Sequence, residues 1–423
     1  MFTTNLIQYR GVNPRWIKGL LYALCFGTAL LLGGYFLMPK IAWVQTNFYL
    51  TILLPALLLI GFRKDFSFVI SWQFFSFISL AVVLAVSTLW ADQELATRSK
   101  EGTYYVRLVL CLAIFYCALY LVLEASSVRI MDSMIKILVV IGLISSTSAL
   151  IIYIVNGGLE SLPRIRGLSL EGDIDKTSML FGFHALFCSY GIHCWSRNWK
   201  RISVAALTMT VAFITLSQTK VPILMAVVAV ATVLFTVFSR NLLVILGGLG
   251  FFIAGYFLLF GDLPLLHRSN AYTVRLQLWQ ESLQGFFQSP WLGSGLVYKQ
   301  FLDLGHVLPH PHNYLVDVAR FSGLLGLFAC AWQLLAGLKA ASHSRRRLTG
   351  PLLCLLFSWF AFGVLAMLVY AQQPLVRPNY IWFFYWIPFA ALLVVSQLGE
   401  QKTCDDSVSD IAQRVENKSL PAT

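Results

Sequence analysis

The chain has 423 residues, of which 58% are hydrophobic and 12% charged, with a mean hydropathy of +0.73 and a formal net charge of +12. A soluble domain carries about twice that charged fraction, which argues against a water-soluble enzyme. The apolar residues come in runs of roughly 18 to 25, long enough to cross a ~30 Å hydrocarbon core as helices.

The sequence therefore predicts an all-α, polytopic integral membrane protein. About twelve transmembrane helices are expected, at 16–37, 42–62, 66–90, 104–124, 133–155, 177–195, 202–219, 221–238, 241–260, 314–338, 350–370 and 379–398. The first run is followed at once by a second and has no small-residue cleavage site before it, so it reads as a span and not a cleaved signal. Alternate loops are basic: Arg10, Arg15 and Lys18; Arg63 and Lys64; Arg129; Arg197, Lys200 and Arg201; Arg240; Arg345, Arg346 and Arg347. The positive-inside rule puts these loops, and both termini, in the cytoplasm. Residues 1–398 then form a single transmembrane domain, and 399–423 a polar cytoplasmic tail. The eight cysteines fall in spans or in this tail, so no disulfide is expected. The aromatic residues are expected mainly at the membrane interfaces and against lipid.

One long loop, 261–313, lies on the outer face, and a loop of that length is usually functional or disordered. Between Arg275 and Phe287 its apolar residues fall at helical spacing, with Trp279, Leu283 and Phe286 on one face. Pro290, Gly293 and Gly295 then stop the helix. The loop ends in His310-Pro311-His312-Asn313, followed by an apolar helix carrying Gly323 and Gly326. A titratable group held at a membrane edge is costly and usually functional.

The outer face should be poor in cations. It nevertheless holds Arg98, Lys100, Arg107, Arg164, Arg166, Lys176, Lys220, Arg268, Arg275, Lys299, Arg320 and Arg377. Each alone could snorkel to lipid headgroups. As a set they point to an anionic ligand, and phosphate is the obvious class, since arginine binds it through two parallel hydrogen bonds.

Three segments carry a resemblance. His312-Asn313, nine residues, then Gly323-x-x-Gly326 resembles the signature of the O-antigen ligases of Gram-negative bacteria. These share a superfamily with O-antigen polymerases and protein O-oligosaccharyltransferases. Thr215-Leu216-Ser217-Gln218-Thr219-Lys220-Val221-Pro222 resembles the family's Thr-x-Ser/Thr-Arg-x-Pro segment at the end of an outward-going span. Arg275-Leu276-x-Leu278-Trp279 with Pro290-x-x-Gly293-x-Gly295 resembles its stretch in the large outer loop. One departure is Lys220, where the family usually has arginine. Lysine keeps the charge but loses the planar two-pronged donor.

The resemblance implies transfer of O-antigen from undecaprenyl diphosphate to a hydroxyl of lipid A-core, on the periplasmic face of the inner membrane. It implies no metal, no other cofactor, and membrane lipids but no nucleic acid as partners. Such chemistry must take a proton from the attacking hydroxyl and stabilise charge on the departing diphosphate. A neutral histidine suits the first task, and fixed cations in a partly dry site suit the second. His312 is the candidate general base, with Arg275 and Lys220 holding the diphosphate. Asn313, Arg164, Arg166, Arg377 and Arg107 are candidate substrate-binding residues. Asp317 falls about 140° off the histidine's helical face and is expected to pair with Arg320 three residues on. Gly323 and Gly326 are expected to let helices pack closely.

Three alternatives stand beside this reading. A polymerase or a protein oligosaccharyltransferase would use the same chemistry on another acceptor. An anionic-lipid transporter would also have many spans and a cationic cavity, but transporters place charges near mid-membrane and often have two related halves. His306, His310 and His312 could ligate a metal, but among carboxylates and cysteines only Asp303 is near and Pro311 breaks the helical spacing.

Overall fold

The computed structural model describes residues 13–91, 95–126, 129–161, 163–219, 222, 269–296, 302–303, 307–308, 311–344, 350–370 and 372–400. Expected spans 221–238 and 241–260, together with Lys220, His306, His310 and the tail beyond 400, lie outside the described residues. The helices are α1 (Pro14–Leu37), α2 (Ile41–Phe62), α3 (Trp72–Ser87), α4 (Leu95–Ser126), α5 (Arg129–Val155) and α6 (Ile174–Cys194). They continue as α7 (Arg197–Ser217), α8 (Ser269–Gln288), α9 (Tyr314–Ser344), α10 (Gly350–Tyr370) and α11 (Trp382–Glu400). Two-residue strands β1 (Leu302–Asp303) and β2 (Val307–Leu308) pair antiparallel in the long loop. The start signals are local. Asn13 caps α1 ahead of Pro14, Ser71 Oγ accepts from Phe74 N, and Asp173 Oδ1 accepts from Lys176 N.

Among the described residues, nine helices are long and apolar enough to cross a membrane, and the protein is a polytopic membrane protein. α6 is a further helix of crossing length that falls outside those nine. It is buried without a break from Thr177 to Gly191, so it presents no lipid face and can carry Thr177, Ser178, His184 and Ser189 inside.

The aromatic expectation needs correction. The largest fully buried side chains include Trp382, Trp386, Tyr35, Tyr116, Tyr120 and Tyr385. α11 is the central post of the bundle, and Trp382 packs edge-on against Phe48 at 5.0 Å between ring centroids. With no hydrophobic drive between helices in lipid, dense van der Waals packing holds them together, and large flat rings supply it. α11 also runs beyond the expected 398. Trp72 Nε1 and Gln73 Nε2 donate to the Glu400 carboxylate and tie down its last turn.

Helix ends sort into two sets. At one end Arg63 makes two hydrogen bonds with Glu124, Gln397 donates to the Phe68 carbonyl, and Trp195 Nε1 donates to Asp132. At the other, Leu170 N donates to the Met38 carbonyl, Ile165 N to the Leu216 carbonyl and Trp90 Nε1 to the Leu292 carbonyl. The second end also gathers the start of α9 and the loop 372–379.

Candidate active site at one end of the bundle

α9 begins at the histidine motif. Asn313 Oδ1 accepts from Leu315 N at 3.0 Å and Val316 N at 3.3 Å, closing the first helical turn. Asn313 thus serves as a helix cap. His312, immediately before the cap, has φ +55 and a half-buried side chain whose Nδ1 is out of contact with solvent. Trp279 Nε1 donates to the Pro311 carbonyl at 2.8 Å, so α8 fixes the residue just before the histidine. Arg275 lies four residues before Trp279 in α8.

α8 is buried along one side only. Leu278, Ser282 and the half-buried Gly285 lie inward, whereas Leu283 is 37% and Phe287 72% exposed. A Cβ on Gly285 would stand 3.8 Å from Arg320 Cγ of α9. Trp279 and Phe286 are half-buried, and Leu283 and Phe287 lie outward, where in a membrane protein lipid can cover them.

The two glycine motifs interlock. Gly323 has φ +60 and ψ −151, which breaks α9. The segment Ser289–Leu296 lies in the break. Ser294 N donates to the Arg320 carbonyl and Gly295 N to the Phe321 carbonyl, both at 2.9 Å. In the other direction Leu324 N donates to the Pro290 carbonyl at 2.8 Å and Leu325 N to that of Trp291 at 3.3 Å. A Cβ at Gly323 would stand 2.5 Å from Trp291 C, and one at Gly293 would overlap the Phe321 backbone. Ser87 Oγ at the end of α3 and Trp90 Nε1 just past it hold the same segment, by way of Leu296 N and the Leu292 carbonyl. Irregular backbone at membrane depth is tolerated when protein satisfies its polar groups. The expected role of Gly323 in helix packing is therefore corrected: its freedom at positive φ lets a loop thread the helix.

Asp317 has a second partner besides Arg320. Its Oδ2 accepts from Gln373 N, 56 residues on, at 2.7 Å, with Arg320 within electrostatic reach. Both Asp317 and Gln373 are buried. The loop 372–379 carries Arg377, which is exposed, with its guanidinium 5.1 Å from the centre of the Tyr104 ring. Arg107, also exposed, is one turn along α4 from Tyr104.

Arg164 is engaged within the protein. Its Nη2 meets Asp175 Oδ1 at 2.7 Å and its Nε donates to the Ser217 carbonyl at 2.9 Å. It clamps the 163–170 segment onto the last turn of α7, where Gln218 takes φ +52 just before Lys220. Arg166 is exposed two residues further on. Lys176, beside Asp175, pairs with Asp173 at 2.7 Å and lies over the Tyr380 ring. Arg164 and Arg377 each make contacts on the end of the bundle that holds His312, and Arg107 lies one turn along α4 from Tyr104. The Gln373–Asp317 link was missed from sequence. Its only local sign was the Pro374, Pro378 and Asn379 punctuation of a short loop.

Fold and site define a multi-pass membrane protein with candidate acid-base and cationic groups gathered at one end. Residues 175–331, from the first turn of α6 into α9, match the family described as O-Antigen ligase. An O-antigen ligase of Pseudomonas aeruginosa is 24% identical over 380 residues, covering 88% of this chain and 90% of that protein. The chain is thus similar to O-antigen ligases over most of its length, and to the family's model over 175–331.

Proposed function

We propose that this protein transfers O-antigen from undecaprenyl diphosphate to a hydroxyl of lipid A-core, at the periplasmic face of the inner membrane and with both termini cytoplasmic. The observation that carries this reading is the shared anchoring of the three family segments. α8 holds Pro311 through Trp279, the Pro290–Gly295 stretch threads the break in α9, and Arg164 clamps the turn before Lys220. In this reading His312 takes the proton of the attacking hydroxyl as its oxygen bonds to the anomeric carbon. The bond to the diphosphate oxygen breaks, and Arg275 and Lys220 stabilise the charge left there. Arg377 and Arg107 contact the substrate from the α4 side, Arg166 is available from the 163–170 segment, and Asn313 donates through Nδ2. Arg164 holds the end of α7 through the Ser217 carbonyl. No metal takes part.

The test is complementation of a ligase-null Gram-negative strain that makes a compatible core and O-antigen. The native chain should restore the lipopolysaccharide ladder, and His312→Ala, Arg275→Ala and Lys220→Ala should not, at equal membrane levels. Bare core with a well-expressed native chain would sink the reading. A ladder restored instead in a polymerase-null strain, or glycan found on protein, would assign the neighbouring chemistry.

A further inference from the structure

The buried carboxylate of Asp317 has no part in the chemistry just described, yet it joins the two segments that matter to it. Asp317 N donates to the Asn313 carbonyl at 3.0 Å, so the capped turn that sets His312 also sets Asp317. Its carboxylate crosses to Gln373 N. Beyond Gln373 the loop is stiff. Gln373 Oε1 accepts from Leu375 N at 2.6 Å, and the Pro374 and Val376 carbonyls accept the indole N–H groups of Trp386 and Trp382, each at 2.8 Å. Trp386 and Trp382 belong to the buried post of the bundle. One stiff unit therefore carries Arg377, and Asp317 ties it to the histidine turn.

We propose that Asp317 is a positioning residue that sets Arg377 relative to His312. This rests on the reading of Arg377 as a donor-binding residue. A buried carboxylate is expensive and is kept when its partners repay it. Here one partner is a backbone N–H whose position, and not its chemical identity, is what the carboxylate fixes. An oxygen acceptor at that point is what the Gln373 link requires, with Arg320 seeing the charge, so asparagine should hold the loop far better than alanine.

Two measurements test the proposal. In glycan transfer, Asp317→Ala should raise the KM for the lipid-diphosphate donor about tenfold or more, a change worth ~1.4 kcal/mol, with a smaller change in kcat, and Asp317→Asn should stay close to native. In an Arg377→Ala background, Asp317→Ala should raise KM no further. Full additivity of the two substitutions, or an Asp317→Asn as impaired as Asp317→Ala, overturns the proposal. The second measurement does not depend on activity. With spin labels at positions 377 and 277, the latter exposed on α8, the native distance distribution should be narrow, broaden in Asp317→Ala and remain narrow in Asp317→Asn. An unchanged distribution in Asp317→Ala overturns positioning even if transfer proves to be the wrong activity, and broadening without any native transfer activity would confine the failure to the functional reading.

Discussion

Replacing Gly323 with alanine attacks the point where two distant sequence motifs meet. At φ +60 and ψ −151 the residue sits in a region open essentially to glycine alone, and holding another residue there costs of order 1–3 kcal/mol. The new Cβ would also stand 2.5 Å from Trp291 C, 2.6 Å from its carbonyl oxygen and 2.7 Å from Gly293 N. These are backbone atoms, pinned by the Trp90 hydrogen bond to the Leu292 carbonyl, so no side chain can swing aside. If the Ser289–Leu296 segment withdraws, four inter-segment backbone hydrogen bonds go with it, each worth about 1 kcal/mol net. Part returns if residues 320–325 resume regular helical bonding, and the expected net loss is about 2–5 kcal/mol. The assay is thermal unfolding of purified protein in detergent, with size-exclusion profiles and transfer activity alongside. Gly326→Ala is the control. Its Cβ meets the Ser322 hydroxyl and, at 2.8 Å, Val318 Cγ1, both side-chain atoms of its own helix, so it should cost about 1 kcal/mol. A Gly323→Ala protein with native midpoint, profile and transfer would refute the threaded-helix account, as would equal losses at both glycines.

Trp279→Phe keeps an aromatic ring, though a smaller one, and removes the donor to Pro311. It should cost about 1 kcal/mol in stability and depress transfer more than membrane level, as read from ladder intensity against immunoblot. His312→Gly keeps the positive-φ backbone, so the unfolding midpoint should stay level or rise while transfer is abolished; a fall in the midpoint would assign the ring a structural role. Arg63→Ala removes a guanidinium buried against the Phe68 ring and paired with Glu124, 1% and 27% exposed for the pair. It should lower membrane levels strongly, by ~3–5 kcal/mol of stability, and leave the KM of surviving protein unchanged. Treatment with EDTA should leave transfer at its native rate; a loss restored by a divalent ion would return a metal to the mechanism.

Much of the architecture was legible because lipid imposes a simple rule: backbone polar groups must be satisfied within the segment, so long apolar runs become helices. The positions of α1–α5, α7, α9 and α10 follow from that rule alone. So does the helix across Arg275–Phe287, from the spacing of its apolar residues. His312 could be singled out because a titratable group at a membrane edge is rare. Orientation within the bundle was not legible. Nothing in a run of apolar residues says whether it faces lipid or protein, since both are apolar, and so the tryptophans of α11 read as an interfacial belt and lie at the centre.

The sequence by itself determined the membrane class, most of the helix positions and the residue types at the candidate site. These depend on hydrophobicity and spacing along the chain. Only the tertiary structure decided which distant groups meet: Pro290–Gly295 with the break at Gly323, Trp279 with Pro311, Arg164 with Ser217 and Asp317 with Gln373. Each is a hydrogen bond between groups that every sequence possesses or that local spacing assigns elsewhere. A backbone N–H carries no mark of its partner until packing brings that partner within about 3 Å.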